Sequence, residues 1–321
     1  MSRAPMSRVT GAIVIAFLAG GLNGPAWASE HLGRWGVKAQ MPSSRTEVAA
    51  AELGGRIYVV GGFGNGGDLV EAYDPATDRW ERRASLPVAL HHAGAAAVND
   101  KLYIVGGYAE GWGGVASLYE YDPVSNRWRD RRSMPTSRGA LAVGVLDGKI
   151  YAVGGVGADG RNTGAVEAYD PATDRWESLP PLPTPRDHLT VSVIGGRLFA
   201  IGGRIQGSFA RNLGTNEAYD RVTNRWSSRA PLPTPRSGIA AATLGGRIFV
   251  FGGEAPSGTF PQNEAYDPAT DRWATLAPMP TARHGLGAAV AGGAIYVLSG
   301  GPRPGGSYSG VNEVFYPPRS P

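Results

Sequence analysis

Six tryptophans recur down the chain at nearly even intervals: Trp35, Trp80, Trp128, Trp176, Trp226 and Trp273, separated by 45, 48, 48, 50 and 47 residues. A period of that length means one structural unit repeated around or along an axis, each copy burying its apolar surface against its neighbours. Between tryptophans the same signals come in the same order. From residue 45 they run Arg45, Ala49-Ala50-Ala51, Gly54-Gly55, Ile57-Tyr58-Val59-Val60, Gly61-Gly62, Val70-Glu71-Ala72-Tyr73-Asp74-Pro75 and Trp80. Short apolar runs bounded by glycine and proline read as strands and turns. With 48 Gly and 25 Pro in 321 residues, the punctuation suffices for four strands, a to d, in every period.

The physical character of each strand fits a ring. Strand a is rich in Ala and Gly (residues 94–98, 139–145 and 238–244), as expected where side-chain space tapers around a central axis. Strand b is continuously apolar, as in Ile248-Phe249-Val250-Phe251, which suits a strand covered on both faces. Strand c ends in turns such as Asp170-Pro171-Ala172-Thr173-Asp174, and strand d opens at the tryptophan. The double glycine returns at 106–107, 154–155, 202–203 and 252–253, with Ser299-Gly300 as a degenerate sixth copy. Tyr-Asp returns at 121–122, 169–170, 219–220 and 266–267, with Phe315-Tyr316 in its place at the end. These motifs resemble the kelch repeat family over nearly all of residues 29–321. The resemblance implies an all-β fold, a six-bladed kelch-type β-propeller with four antiparallel strands per blade.

The blade repeats fall at approximately 45–80, 90–128, 138–176, 186–226, 236–273 and 283–317. The last has no tryptophan strand, while Trp35 stands before the first repeat without a blade. Residues 30–41 are therefore expected to close the ring as strand d of blade six. Ahead of them, Arg3 and Arg8, the apolar stretch from Val9 to Leu22 and Ala26-Trp27-Ala28 read as a signal peptide over residues 1–28, implying a periplasmic or secreted protein with no membrane insertion after cleavage. Of 31 Lys and Arg, Arg3 and Arg8 lie in that segment, leaving 29 basic against 27 acidic residues, a balance unlike a nucleic-acid footprint. There is no cysteine, which excludes thiolate chemistry.

Antiparallel strands put the d–a and b–c loops on one face. The b–c loops vary in length and composition, and variable loops on a rigid scaffold are where binding residues concentrate. On that face, three residues after the repeated Met-Pro or Leu-Pro, stand Arg45, Arg138, Arg186, Arg236 and Arg283, with Leu90 in blade two. His92, Asp187, His188 and His284 lie just beyond, and Arg204 follows Gly202-Gly203. A ring of guanidinium groups at a channel mouth suits carboxylate or phosphate ligands. In some kelch domains that bind acidic peptides, Arg at these positions contacts the ligand, so the resemblance implies the same here. The competing role is structural: Arg bonded to inter-blade carbonyls or to acids such as Glu71 and Glu167. Trp112, outside the tryptophan register in a glycine-rich loop, and Phe209, Phe260 and Tyr308 in other b–c loops are candidates to stack on a sugar or anchor a partner.

The candidate ligand-binding set is thus Arg45, Arg138, Arg186, His188, Arg204, Arg236, Arg283, His284 and Trp112. The reading favours a non-catalytic propeller recognising an anionic or carbohydrate small molecule, or a protein or peptide partner. The alternative is a sugar-modifying enzyme similar to the periplasmic kelch sialic-acid mutarotases, with Glu47 or His188 as acid or base. A copper oxidase resembling galactose oxidase fails because that cofactor is built on a Tyr–Cys cross-link. The five histidines (His31, His91, His92, His188, His284) lack metal-ligand spacing except for adjacent His91 and His92, which a strand would point to opposite faces. No metal and no cofactor are expected.

Overall fold

The computed structural model describes residues 31–318 except 65 and 110, together with residue 1; the rest of the expected signal peptide lies outside the described residues. Six four-stranded antiparallel sheets follow one another around an axis. In blade one, strands a to d are Ala49–Leu53, Arg56–Val60, Val70–Asp74 and Arg79–Arg82. Blade six takes its first three strands from Gly287–Ala291, Ala294–Leu298 and Asn312–Tyr316 and its fourth from Arg34–Val37, with Trp35 opposite Phe315. Both ends of the described chain therefore share one sheet. No described helix is long and apolar enough to cross a membrane.

Each tryptophan ties its strand d to the preceding blade. The half-buried indoles of Trp80, Trp128, Trp176, Trp226 and Trp273 donate to the carbonyls of Ala39, Ala84, Arg132, Pro180 and Ala230 at 2.7–2.9 Å. Trp35 completes the circuit by donating to Ala277 at 2.9 Å. The strand c tyrosines hold the next turn: Tyr73, Tyr121, Tyr169, Tyr219 and Tyr266 donate to Asp78, Asn126, Asp174, Asn224 and Asp271 at 2.6–2.7 Å. Each acceptor is a short polar residue at φ 52–55°, a left-handed conformation that Asp and Asn tolerate.

Around the axis the strands a pack against one another, and small residues are required there: a Cβ on Gly94 would lie 2.0 Å from Val143 Cγ2. Strand a starts later than the sequence suggests, at Ala142 in blade three and Ala240 in blade five. The residues before it form a neck. Glu47, His92, Ala140, His188, Gly238 and Gly285 all have φ between 50° and 66°. Their backbones bond blade to blade: His92 donates to Glu47, Ala140 to His92, His188 to Ala140, Gly238 to His188 and Gly285 to Gly238, at 2.9–3.1 Å. Four of the six are not glycine, and a left-handed residue with a Cβ costs roughly 1–2 kcal/mol. Strain of that kind gathers where side chains are held for use.

Candidate functional site

The five repeat arginines do not form a ring around the channel. Arg45, Arg138, Arg186, Arg236 and Arg283 are each 0% exposed. Each side chain turns into its own blade and pairs with the strand c glutamate: Arg45 with Glu71 at 2.8 Å, Arg138 with Glu167 at 3.0 Å, Arg186 with Glu217 and Arg283 with Glu313 at 2.6 Å, and Arg236 with Glu264. Further guanidinium hydrogens go to carbonyls of the same blade, as Arg186 does to Gly202 at 2.7 Å and Ala200 at 2.8 Å, while Nε of Arg45 and of Arg138 has no partner. A Ser or Thr hydroxyl completes each acid, as Thr184 does for Glu217 at 2.8 Å. Burial pulls the Arg138 guanidinium down to about 10, partly offset by Glu167, so it stays charged at neutral pH. These contacts correct the expectation of an open guanidinium ring, and the carbonyls lie within each blade instead of between blades. In blade two Leu90 replaces the arginine, and Glu120 is met by Tyr103 at 2.8 Å and by Arg131 at 3.1 Å.

The groups that do reach the mouth stand at three other repeat positions. One and two residues beyond the arginine come Thr46-Glu47, His91-His92, Gly139-Ala140, Asp187-His188, Ser237-Gly238 and His284-Gly285. Directly after the double glycine come Phe63, Tyr108, Val156, Arg204, Glu254 and Gly301. The d–a and b–c loops meet there in every blade through antiparallel bridges such as Thr46 with Phe63, His91 with Tyr108, Asp187 with Arg204 and His284 with Gly301. The glycines make that approach possible: Gly203 has φ 101°, and a Cβ on it would lie 2.8 Å from Asp187 O. In blade six Ser299 takes the first position at φ 62°, and its hydroxyl donates to Arg45 O at 2.6 Å.

Arg204 organises one side of the mouth. It bonds Asp187 Oδ1 at 3.2 Å, Glu254 Oε1 at 2.7 Å and His188 Nε2 at 2.9 Å. The opposite His188 nitrogen, Nδ1, donates to Asp187 Oδ1 at 2.5 Å. Burial alone would raise the Asp187 carboxyl, but bonds from His188 and Asn162 and the charge of Arg204 hold it below the usual range. Glu254 is likewise lowered, burial being outweighed by His284, the Gly305 amide and Arg204. Burial drives His92 well below the ordinary imidazole value, and His188, His91, Arg204 and His284 add to that, so His92 is neutral. Two carboxylates, Asp187 and Glu254, thus share one guanidinium, and a third, Glu47, stands by His92 and His284 at 3.4 and 3.7 Å.

His91 and His92 do not point to opposite faces. His92 sits at φ 54°, off any strand, so the alternation is broken and the two Nδ1 atoms lie 2.6 Å apart. Around them lies an aromatic shelf: Phe63 stacks on His91 at 3.8 Å between ring centroids, and Trp112 meets Phe63, His91, His92 and Tyr108 at 5.3–5.5 Å. Trp112 remains 67% exposed while resting on His91, His92 and Tyr108 of its own blade and reaching Phe63 of blade one. A cavity of about 300 Å³ lies beside it, lined by Phe63, Ala89, Leu90, His91, Ala109 and Trp112, and the axial channel below the neck holds about 160 Å³. Phe209 lies under the Arg204 guanidinium at 5.8 Å, and Tyr308 is exposed.

Of the candidate set, then, His188, Arg204, His284 and Trp112 gather at the mouth, and the five repeat arginines do not. Glu254, Tyr108 and Phe63 belong to the site and were missed, although they occupy the same position after the double glycine that singled out Arg204.

Comparison with known proteins agrees with this architecture. The family model described as the KLHDC2/KLHL20/DRC7 Kelch-repeats domain matches residues 27–203, and the Kelch motif matches residues 185–233 and 235–280. No curated protein gives a significant match. A solved structure titled "Structure of YjhT" superposes with a TM-score of 0.77 at 17% identity, covering 87% of this chain and 97% of that one, a likeness of fold. With the repeat motifs, the six blades and family models matching over most of its length, the chain belongs to the kelch-repeat family.

Proposed function

We propose that this propeller is a non-catalytic recognition module whose mouth takes a carbohydrate, laid against Trp112 and hydrogen-bonded by the rim of Glu47, Asp187, Glu254 and Arg204. The observation that carries it is the exposed Trp112 indole standing on a shelf of Phe63, His91 and Tyr108 beside buried acceptors. An aromatic face packs on the C–H face of a sugar ring, and carboxylates accept from its hydroxyls. An anionic ligand is the weaker half of the sequence reading. Five of the six expected arginines are spent inside the blades, and Arg204 is already shared between Asp187 and Glu254.

The test is a thermal-shift and tryptophan-fluorescence screen of neutral sugars, acidic sugars and peptides, since a ligand of the native state raises its melting temperature. A neutral sugar should bind, and Trp112→Ala should weaken it about tenfold, the worth of one aromatic contact of about 1–1.5 kcal/mol. Binding confined to peptides, or unaffected by Trp112→Ala, overturns the proposal. The mutarotase-like alternative keeps one observation in its favour: His188 is oriented by Asp187 on Nδ1 as an acid–base group is, with Arg204 on Nε2 to be displaced by a substrate. Anomer interconversion of a bound sugar, measured by NMR, would establish it.

A further inference from the structure

We infer that the mouth is a binding site for a divalent transition-metal ion of the zinc class, with Glu47, Glu254 and His284 as its protein ligands. The argument begins with which nitrogen of His284 carries the proton. Nδ1 lies 3.0 Å from Gly301 O, an acceptor only, so Nδ1 is the donor, and Nε2 is the nitrogen left to hold either a proton or a metal ion. Nε2 faces Glu47 Oε1 at 3.7 Å and Glu254 Oε2 at 3.6 Å. Three ligand atoms on buried or nearly buried side chains therefore converge, an arrangement that is repulsive unless a proton or a metal ion stands among them.

The distances approach what the metal cation needs: they are too long for hydrogen bonds, all three atoms lie within 4.8 Å of one another, and ligand atoms at about 2.0–2.2 Å from a tetrahedral zinc stand about 3.3–3.6 Å apart, so a small closure of the Glu47 carboxylate completes the set. Outer contacts match those of metal ligands, which are usually held by a second hydrogen bond: His284 by Gly301, and Glu254 by Arg204 on Oε1 and by the Gly305 amide on Oε2 at 2.9 Å. Two carboxylates and an imidazole suit a dication, and the excess of carboxylate over guanidinium at the mouth favours it further. Three protein ligands would leave the fourth position of a tetrahedral ion to water or to a hydroxyl group of a ligand.

Glu47 also belongs to a second grouping with His92 and His188. There His91 Nε2 lies 3.2 Å from Gly111 O, which makes His91 Nδ1 the acceptor from His92 Nδ1 and leaves the His92 Nε2 lone pair 3.4 Å from Glu47 Oε2. The His188 Nε2 lone pair, however, is engaged by Arg204 at 2.9 Å, so this grouping lacks a free third ligand. Linear spacing could not reveal either set. The ligands come from blades one, five and six, or one, two and four, and meet only because the propeller brings the neck positions of its blades to one axis.

The experiment uses the full chain, stripped with chelator and titrated with zinc by calorimetry, with cobalt as a spectroscopic reporter and elemental analysis for stoichiometry. One ion per chain is expected, with the strong visible absorption of low-coordinate cobalt. Glu47→Gln, Glu254→Gln and His284→Gln should each weaken zinc at least a hundredfold, while His92→Gln changes it less than fivefold. The melting temperature of each metal-free variant shows whether it folds, and any one folded ligand variant suffices. Absence of stoichiometric uptake by the wild-type chain would mean that a proton on His284 fills the gap, and overturns the inference. Loss in His92→Gln with retention in His284→Gln overturns the ligand assignment.

Discussion

The blade wall and the channel mouth use the same side chains to opposite ends. In the wall, each Arg faces one Glu, and a Thr or Ser hydroxyl and backbone carbonyls take most of what remains, as around Arg186 and Glu217. At the mouth, Arg204 is divided between Asp187 and Glu254, while Glu47 faces only imidazole nitrogens. The wall is balanced and closed; the mouth has carboxylate in excess and lone pairs in hand. A repeat motif thus does not tell what an arginine does. Its function depends on its place in the repeat: three residues after Met-Pro or Leu-Pro it turns into the blade, and directly after the double glycine it reaches the mouth.

The largest effect should come from breaking a wall pair. Arg186→Ala leaves Glu217 buried with a hydroxyl partner only, and an unpaired buried charge costs about 3–5 kcal/mol. A fall in melting temperature on the order of 10 °C follows, with ligand affinity of the folded protein unchanged. Arg204→Ala should do the reverse. Asp187 keeps His188 and Asn162 and Glu254 keeps the Gly305 amide, so each acid retains hydrogen-bond donors, and the melting temperature should drop by less than in Arg186→Ala while ligand binding suffers. Equal losses of stability in the two variants would erase the distinction between wall and mouth.

That distinction marks where the sequence becomes illegible. The six blades, the four strands and the closing strand at Trp35 all follow from periodicity, because each repeat must bury the same apolar positions. The arginine ring misled because the same positions carry arginine in five of the six blades whether the side chain points in or out. His91 and His92 misled because a strand rule was applied to a residue with φ 54°. Glu254 was passed over because it is chemically unlike Arg204, although both stand directly after a double glycine. Aligning the repeats and reading the columns beside the regular arginine would have found the neck.

A smaller loss is expected where the wall is stitched together at its seam. Trp35 is half-buried against Phe251 and Phe315 at 5.8 and 5.0 Å, and its indole donates to Ala277. Half of the roughly 150–250 Å² an aromatic side chain can bury, at about 25 cal/mol per Å², gives about 2–3 kcal/mol. Trp128, equally half-buried and donating to Ala84 at 2.8 Å, makes the same contact within a continuous blade. Trp35→Ala and Trp128→Ala should therefore lower the melting temperature alike, by about 5–10 °C. If Trp35→Ala is silent, the terminal strand contributes nothing to closure and blade six stands on three strands.

The smallest effect separates the outer rim of the wall from the mouth by acid. Asp174 accepts from the Arg132 amide and the Tyr169 hydroxyl, and both bonds hold its carboxyl below the ordinary value of 3.8; Asp78 and Asp271 are lowered in the same way, by their tyrosines first and then by the Ala39 and Ala230 amides. A carboxyl lowered in the folded state is protonated first in the unfolded chain, so its stabilisation is complete above about pH 4–5 and is lost as pH falls through the folded value. The chain contains its own control, because Asn126 accepts the same two bonds, from Tyr121 at 2.6 Å and the Ala84 amide at 3.0 Å, with an oxygen that does not titrate. Replacing Asp78, Asp174 and Asp271 together by Asn should leave the melting temperature at pH 7 within a few degrees and flatten its decline between about pH 5 and 3. The slope that survives belongs to the mouth, where Asp187 and Glu254 are also held low. A triple variant that declines as steeply as the parent would assign the whole acid response to the mouth and leave the rim without a part in it.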